Sequence, residues 1–182
     1  MFITEQPQDL KELFHNGGVF AYPTEAVFGL GCDPNNEEAV TRLLALKQRP
    51  INKGLILIAS NFNQVTKYLK PLSTKQLALT KPSTTTYIYP ALDSAPKWLT
   101  GDFDSLAIRI SKHPLVYELC ETLESAVVSS SANLSGLEPA KSAKEVAEQL
   151  SDKLDAILDG NTGDSQKPSA IRDSITRQII RS

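Results

Sequence analysis

The chain of 182 residues has few of the side chains from which most enzymes build a reactive centre. Its two cysteines, Cys32 and Cys120, stand far apart with neither metal-ligand spacing nor the flanks of a nucleophile. Buried thiols in a reducing compartment are expected. Two histidines, His15 and His113, are too few for an ordinary zinc site, and His113 before Pro114 reads as a turn between a strand and a helix. No apolar run approaches the roughly 18 residues of a membrane span. The opening Met1-Phe2-Ile3-Thr4-Glu5-Gln6 carries no basic region followed by an apolar core, so a cytoplasmic protein without a membrane partner is expected. Bulk positive charge is also missing: 19 Lys and Arg stand against 21 Asp and Glu, a net charge of -2, so any anion-binding face must be local. There is no Gly-x4-Gly-Lys-Ser/Thr loop, no Gly-x-Gly-x-x-Gly after a strand and no Gly-x-Ser-x-Gly elbow, which removes the commonest nucleotide cradles and the serine-hydrolase triad.

What the chain does have is alternation of helical and strand periodicities without a repeat or linker. Leu10, Leu13 and Phe14 predict a helix over 8–14, closed by Gly17-Gly18 before a strand over 19–22 that Pro23 stops. A loop is expected through Gly29, Gly31 and Pro34. Asn36 then caps a helix with Glu37 and Glu38 in its first turn, ending at Arg49-Pro50. Further strands are expected over 54–59, 84–89, 106–110 and 126–130, with short closing strands over 154–158, 170–171 and 175–180. Further helices are expected over 61–70, 73–80, 114–123 and 142–150. This describes one α/β domain over 1–182, a twisted mixed-direction sheet flanked by helices.

The most informative segment is Ser129-Ser130-Ser131-Ala132-Asn133-Leu134-Ser135-Gly136, which follows the apolar run Ala126-Val127-Val128. Hydroxyls beyond a buried strand suit a ligand crevice at a strand's carboxyl end. They equally suit a capped turn. Lys47, Arg49 and Lys53 cluster at a helix end, where cations suit either a polyphosphate or the helix dipole. Arg109 lies inside the apolar strand Leu106-Ala107-Ile108-Arg109-Ile110 and needs an anionic partner, either a ligand or Asp102 or Asp104. Thr24 in Tyr22-Pro23-Thr24-Glu25-Ala26 is open to a turn-capping reading as well.

In order along the chain, Ala21-Tyr22-Pro23-Thr24-Glu25-Ala26-Val27-Phe28-Gly29-Leu30-Gly31, Leu46-Lys47-Gln48-Arg49-Pro50 with Lys53, Leu106-Ala107-Ile108-Arg109 with His113-Pro114, and Ser131-Ala132-Asn133-Leu134-Ser135-Gly136 resemble the YrdC-like family of threonylcarbamoyl-AMP synthases. The resemblance implies that L-threonine, bicarbonate and ATP, carried with Mg2+, give threonylcarbamoyl-AMP and pyrophosphate. A tRNA threonylcarbamoyl-transferase complex would take the product for modification of the adenosine next to the anticodon. It implies ATP contacts for Lys47, Arg49, Lys53, Ser131, Asn133 and Arg181, with Lys47 and Arg49 catalytic. It implies threonine contacts for Thr24, Arg109, Ser129 and Ser169. One departure is plain: Lys81-Pro82-Ser83-Thr84-Thr85-Thr86 stands where the family commonly has Trp-Pro-Gly-Pro before a Thr, which implies a remodelled loop. The alternative class is an RNA-binding or ribosome-maturation protein that uses the same cations on a phosphate backbone.

Overall fold

Periodicity and end signals decide the local structure. The computed structural model describes residues 1–150, 152–165 and 167–182. In chain order the elements are β1 (Phe2–Thr4), α1 (Lys11–His15), β2 (Phe20–Pro23), β3 (Phe28–Gly31), α2 (Glu37–Leu46), β4 (Ile56–Ala59), α3 (Thr74–Leu77), β5 (Thr86–Pro90), α4 (Lys97–Thr100), β6 (Ser105–Ile110), α5 (Pro114–Thr122), β7 (Val127–Ser131), α6 (Ala143–Leu150), β8 (Ala156–Leu158), β9 (Ile171–Asp173) and β10 (Ile179–Arg181). Asn36 caps α2 by accepting from the Ala39 amide at 3.0 Å, and His113 caps α5 ahead of Pro114.

The strands form one mixed sheet in the order β1-β8-β2-β3-β7-β4-β6-β5-β9-β10, with both parallel and antiparallel neighbours. Successive residues of its central strands enter different cores, because strand side chains alternate in direction. Ala21, Leu57, Val128 and Ile157 join one core with Val40 and Leu43 of α2 and Val146 of α6. Tyr22, Ile58, Val127 and Leu158 join the other with Phe14 of α1 and Leu119 of α5. Cys32 lies in the first core and Cys120 in the second. Double-sided burial explains why these strands read as continuous apolar runs. Among the described residues no helix is long and apolar enough to cross a membrane.

Several expectations are corrected. The loop expected through Gly29 and Gly31 is strand β3, antiparallel to β2. Its glycines sit on the face that Tyr22 covers: a Cβ on Gly31 would meet Tyr22 at 2.8 Å and Val127 at 2.6 Å. Glycine here makes room for an aromatic ring rather than a turn. The helix expected over 61–70 is two 3-10 turns, Phe62–Gln64 and Thr66–Tyr68, and a helical turn at α4 had no sequence signal. Pro23 is the last residue of β2 rather than the stop beyond it.

Candidate functional site

The helices of the second face, α1 and α5, cover only part of it. Where they end, the sheet forms the floor of a cavity of about 710 Å3, a volume typical of small-molecule sites. The floor is a row in register: Asp173 on β9 opposite Ile88 on β5, then Ala107 on β6, Ile56 on β4 and Ser129 on β7. Two residues further along their strands, on the same side, are Arg109 and Ser131, and Ser131 faces Gly29. Three of the hydroxyls expected beyond a strand, those of Ser129, Ser130 and Ser131, therefore lie within β7. Pairing with β3 extends that strand through Ser131 and sets the crevice on the sheet face.

Ser165, residues 167–170 and the end of β10 make the opposite wall. The Gly163 amide donates to the Thr24 carbonyl at 2.9 Å and the Ser165 amide to the Glu25 carbonyl at 3.0 Å. A Cβ on Gly163 would come within 2.9 Å of that Glu25 oxygen, so only glycine allows the approach. Ser169 shares a 2.8 Å hydrogen bond with the buried Thr86 hydroxyl, and its carbonyl accepts from Arg181 at 3.0 Å.

Among the described residues five cations line the cavity, Arg49, Lys53, Arg109, Lys167 and Arg181, against two carboxylates, Glu25 and Asp173. Asp173 is committed to its own turn, accepting from the Ile175 and Thr176 amides at 2.8 and 2.7 Å. Burial, reinforced by Arg181, lowers the Arg49 guanidinium, and burial reinforced by Arg109 lowers Arg181. Arg181 thus lies in the field of Arg109 and in turn acts on Arg49, a crowding of positive charge that an anionic ligand relieves.

The end of α2 separates the Lys47-x-Arg49 pair. Gln48 adopts φ 48°, with its amide donating to Ala45 and the Arg49 amide to Leu44, a left-handed helix stop on a residue other than glycine. Arg49 turns into the cavity and donates to the Gly54 carbonyl at 2.8 Å, while its Nε has no hydrogen-bond partner among the described residues. Lys47 instead faces the loop after β7. Its ammonium donates to the Ser131 carbonyl at 2.7 Å, to the Asn133 carbonyl at 2.8 Å and to Asn133 Oδ1 at 2.5 Å. Burial and then Arg49 bring its pKa down to about 8. Lys47 and Asn133 are not among the cavity-lining residues, whereas Thr24, Arg49, Lys53, Arg109, Ser129, Ser131, Ser169 and Arg181 are. Thr24 also donates to the Val27 carbonyl at 2.7 Å, so it caps its turn and lines the cavity at once.

Arg109 does not pair with Asp102 or Asp104. Its partner is Glu25, at 3.5 Å between Nη1 and Oε2, with both side chains about nine-tenths buried. Sequence reasoning gave Glu25 no role, although a carboxylate just before Ala26-Val27-Phe28 was a signal. It also missed Lys167, Thr84 and Thr85. The departing loop is anchored at the cavity edge, with the Ser83 amide donating to Ile110 at 2.8 Å, and it presents Thr84 and Thr85 to the cavity.

The family profile described as "Telomere recombination", Sua5/YciO/YrdC, matches residues 12–182, and the chain belongs to this family. It is 51% identical over 175 residues to a threonylcarbamoyl-AMP synthase of Enterobacter sp. (strain 638), covering 93% of this chain and 92% of that protein. It is 53% identical over 168 residues to one of Photorhabdus laumondii, covering 90% and 88%. Among solved structures, P. abyssi Sua5 complexed with L-threonine superposes with a TM-score of 0.86 at 29% identity over 95% of this chain. The chain spans 53% of that longer protein.

Proposed function

We propose that this cavity is where the chain forms threonylcarbamoyl-AMP and pyrophosphate from L-threonine, bicarbonate and ATP. The observation that carries the assignment is the convergence of Arg49, Arg109 and Arg181 on one cavity within a fold shared with a threonine-bound Sua5. Relatives bearing the activity's name are about half identical along nearly their whole length. Those comparisons favour the enzyme over the RNA-binding alternative, and the cations point into a cavity rather than along an open groove.

Threonine is assigned to the Thr24, Arg109, Ser129 and Ser169 end, and the ATP phosphates to Arg49, Lys53 and Arg181 with Lys167 beside them. Lys47 holds Ser131 and Asn133 as the edge of the nucleotide wall. The α-amine of threonine, once deprotonated, bonds to the carbon of bicarbonate with loss of water to give N-carboxythreonine; a carbamate oxygen of that species then attacks the α-phosphorus, and the bond to pyrophosphate breaks. That exchange needs no protein nucleophile; it needs alignment of the two reactants and cations where the leaving group gains charge. Among the described residues no three His, Cys, Asp or Glu side chains gather into a metal cage. Mg2+ is therefore assigned to the substrate, entering on the ATP phosphates, where it neutralises charge. The product is a reactive mixed anhydride, which fits hand-over to a tRNA threonylcarbamoyl-transferase complex.

The test is pyrophosphate release by the purified chain with threonine and bicarbonate each supplied or omitted. Release that requires both, and that falls about 100-fold or more in Arg49→Ala, is expected for loss of a charge-stabilising donor. Release independent of threonine would overturn the assignment.

A further inference from the structure

Glu25 and Arg109 form an unusual pair for a buried one. Both side chains are about nine-tenths buried, yet they meet through a single 3.5 Å approach that is not a hydrogen bond. Glu25 Oε1 accepts from the Ser111 hydroxyl at 2.6 Å, and that hydroxyl in turn accepts from the His113 amide at 3.0 Å, so one oxygen is fixed in place. Glu25 Oε2 and Arg109 Nε have no hydrogen-bond partner among the described residues. Both residues line the cavity. A buried ion pair normally offsets its desolvation through good geometry and further hydrogen bonds, and this one is left half satisfied.

An α-amino acid supplies what is missing. Its ammonium nitrogen and carboxylate carbon are held about 2.5 Å apart by the Cα geometry, so it presents opposite charges side by side, as the pair does. We propose that Glu25 is the residue that reads the substrate's ammonium: Oε2 accepts from the α-ammonium while Arg109 takes the carboxylate, the zwitterion completing the pair. The inference rests on the assignment of threonine to this cavity and extends it to a specificity determinant. Ser111, which touches Glu25 rather than the ligand, is a positioning residue.

The test compares equilibrium binding of L-threonine and (R)-3-hydroxybutanoate, which keeps the carboxylate and the hydroxyl but lacks the ammonium, to the wild type and to Glu25→Gln. The wild type is expected to prefer threonine by about 10- to 100-fold, the range for a hydrogen bond between charged groups. In Glu25→Gln the preference should shrink to a few-fold, with ATP affinity unchanged. A merely structural role would weaken both ligands equally, so an unchanged preference in Glu25→Gln overturns the inference. Should that variant not fold, Glu25→Asp, which keeps the charge but withdraws it by one methylene, is expected to lose part of the preference, and full retention counts against the inference. Failure of the wild type to bind threonine at all would instead overturn the underlying assignment, and this inference with it.

Discussion

Two stretches of the same sheet face, joined by the same strands, have opposite fates. At Ile58 on β4 and Val127 on β7 the face is sealed by α1 and α5. Two residues along, at Ile56 and Ser129, it is the floor of the cavity. The backbone pairing is continuous across the boundary and β4 presents isoleucine on both sides of it, so the difference comes from what lies above and, on β6 and β7, from side-chain size. Large aliphatic groups fill the covered half, whereas Ala107, Ser129 and Ser131 leave a hollow that Arg109 enters. The sheet thereby serves as a core and as a binding floor without any change of topology.

Ile58→Ala breaks the covered half. It is expected to cost about 3 kcal/mol, lowering Tm by about 10 °C in thermal unfolding, with the KM for threonine little changed. Ala107→Leu breaks the uncovered half. It fills the hollow, so stability should hold within about 1 kcal/mol while kcat/KM falls by about 100-fold in the pyrophosphate assay. If Ala107→Leu unfolded the chain and left the activity per folded molecule intact, the contrast between the halves would collapse.

A smaller effect comes from Lys47 at the border of the nucleotide wall. Its ammonium, lowered to about 8 by burial and Arg49, is charged below that pH and neutral above it. Activity should therefore fall about fivefold between pH 8 and 9 as the donor to Ser131 and Asn133 discharges, and Lys47→Arg should remove that limb of the profile. Stability moves the other way. The folded pKa is below the unfolded one, so the charged form costs stability below about pH 8, and this cost fades as pH rises towards the ordinary lysine value. Parallel loss of activity and stability above pH 8 would contradict the assignment. The smallest expected change is a gain: Gln48→Gly relieves the left-handed backbone at φ 48° and should stabilise the chain by about 0.5–1 kcal/mol in denaturant unfolding.

Much of the site was legible before the structure because its residues break local rules. Arg109 stood out as a charge in an apolar strand, and Lys47, Arg49 and Lys53 as cations gathered at a helix end. Glu25 broke the same rule less visibly, since Pro23 and Thr24 made its surroundings look like a turn. The two tasks of Lys47-x-Arg49 were hidden for another reason. Their separation depends on a helix stop at Gln48, and glutamine carries no sequence signal for left-handed backbone.

The sequence by itself determined the sheet class, the capped helix α2, the start of α5 at Pro114, the burial of the central strands and the ordered motifs that mark the family. Each of these is encoded by neighbours within a few residues, through periodicity, caps and turn chemistry. Only the tertiary structure decided that Glu25 answers Arg109, that Ser131 and Asn133 hold Lys47, and that residues 167–170 close over the floor. Those partners lie 84 positions apart, both for Lys47 and Ser131 and for Glu25 and Arg109. Strand order brings them together, and strand order is set by the packing of the whole chain rather than by any local segment.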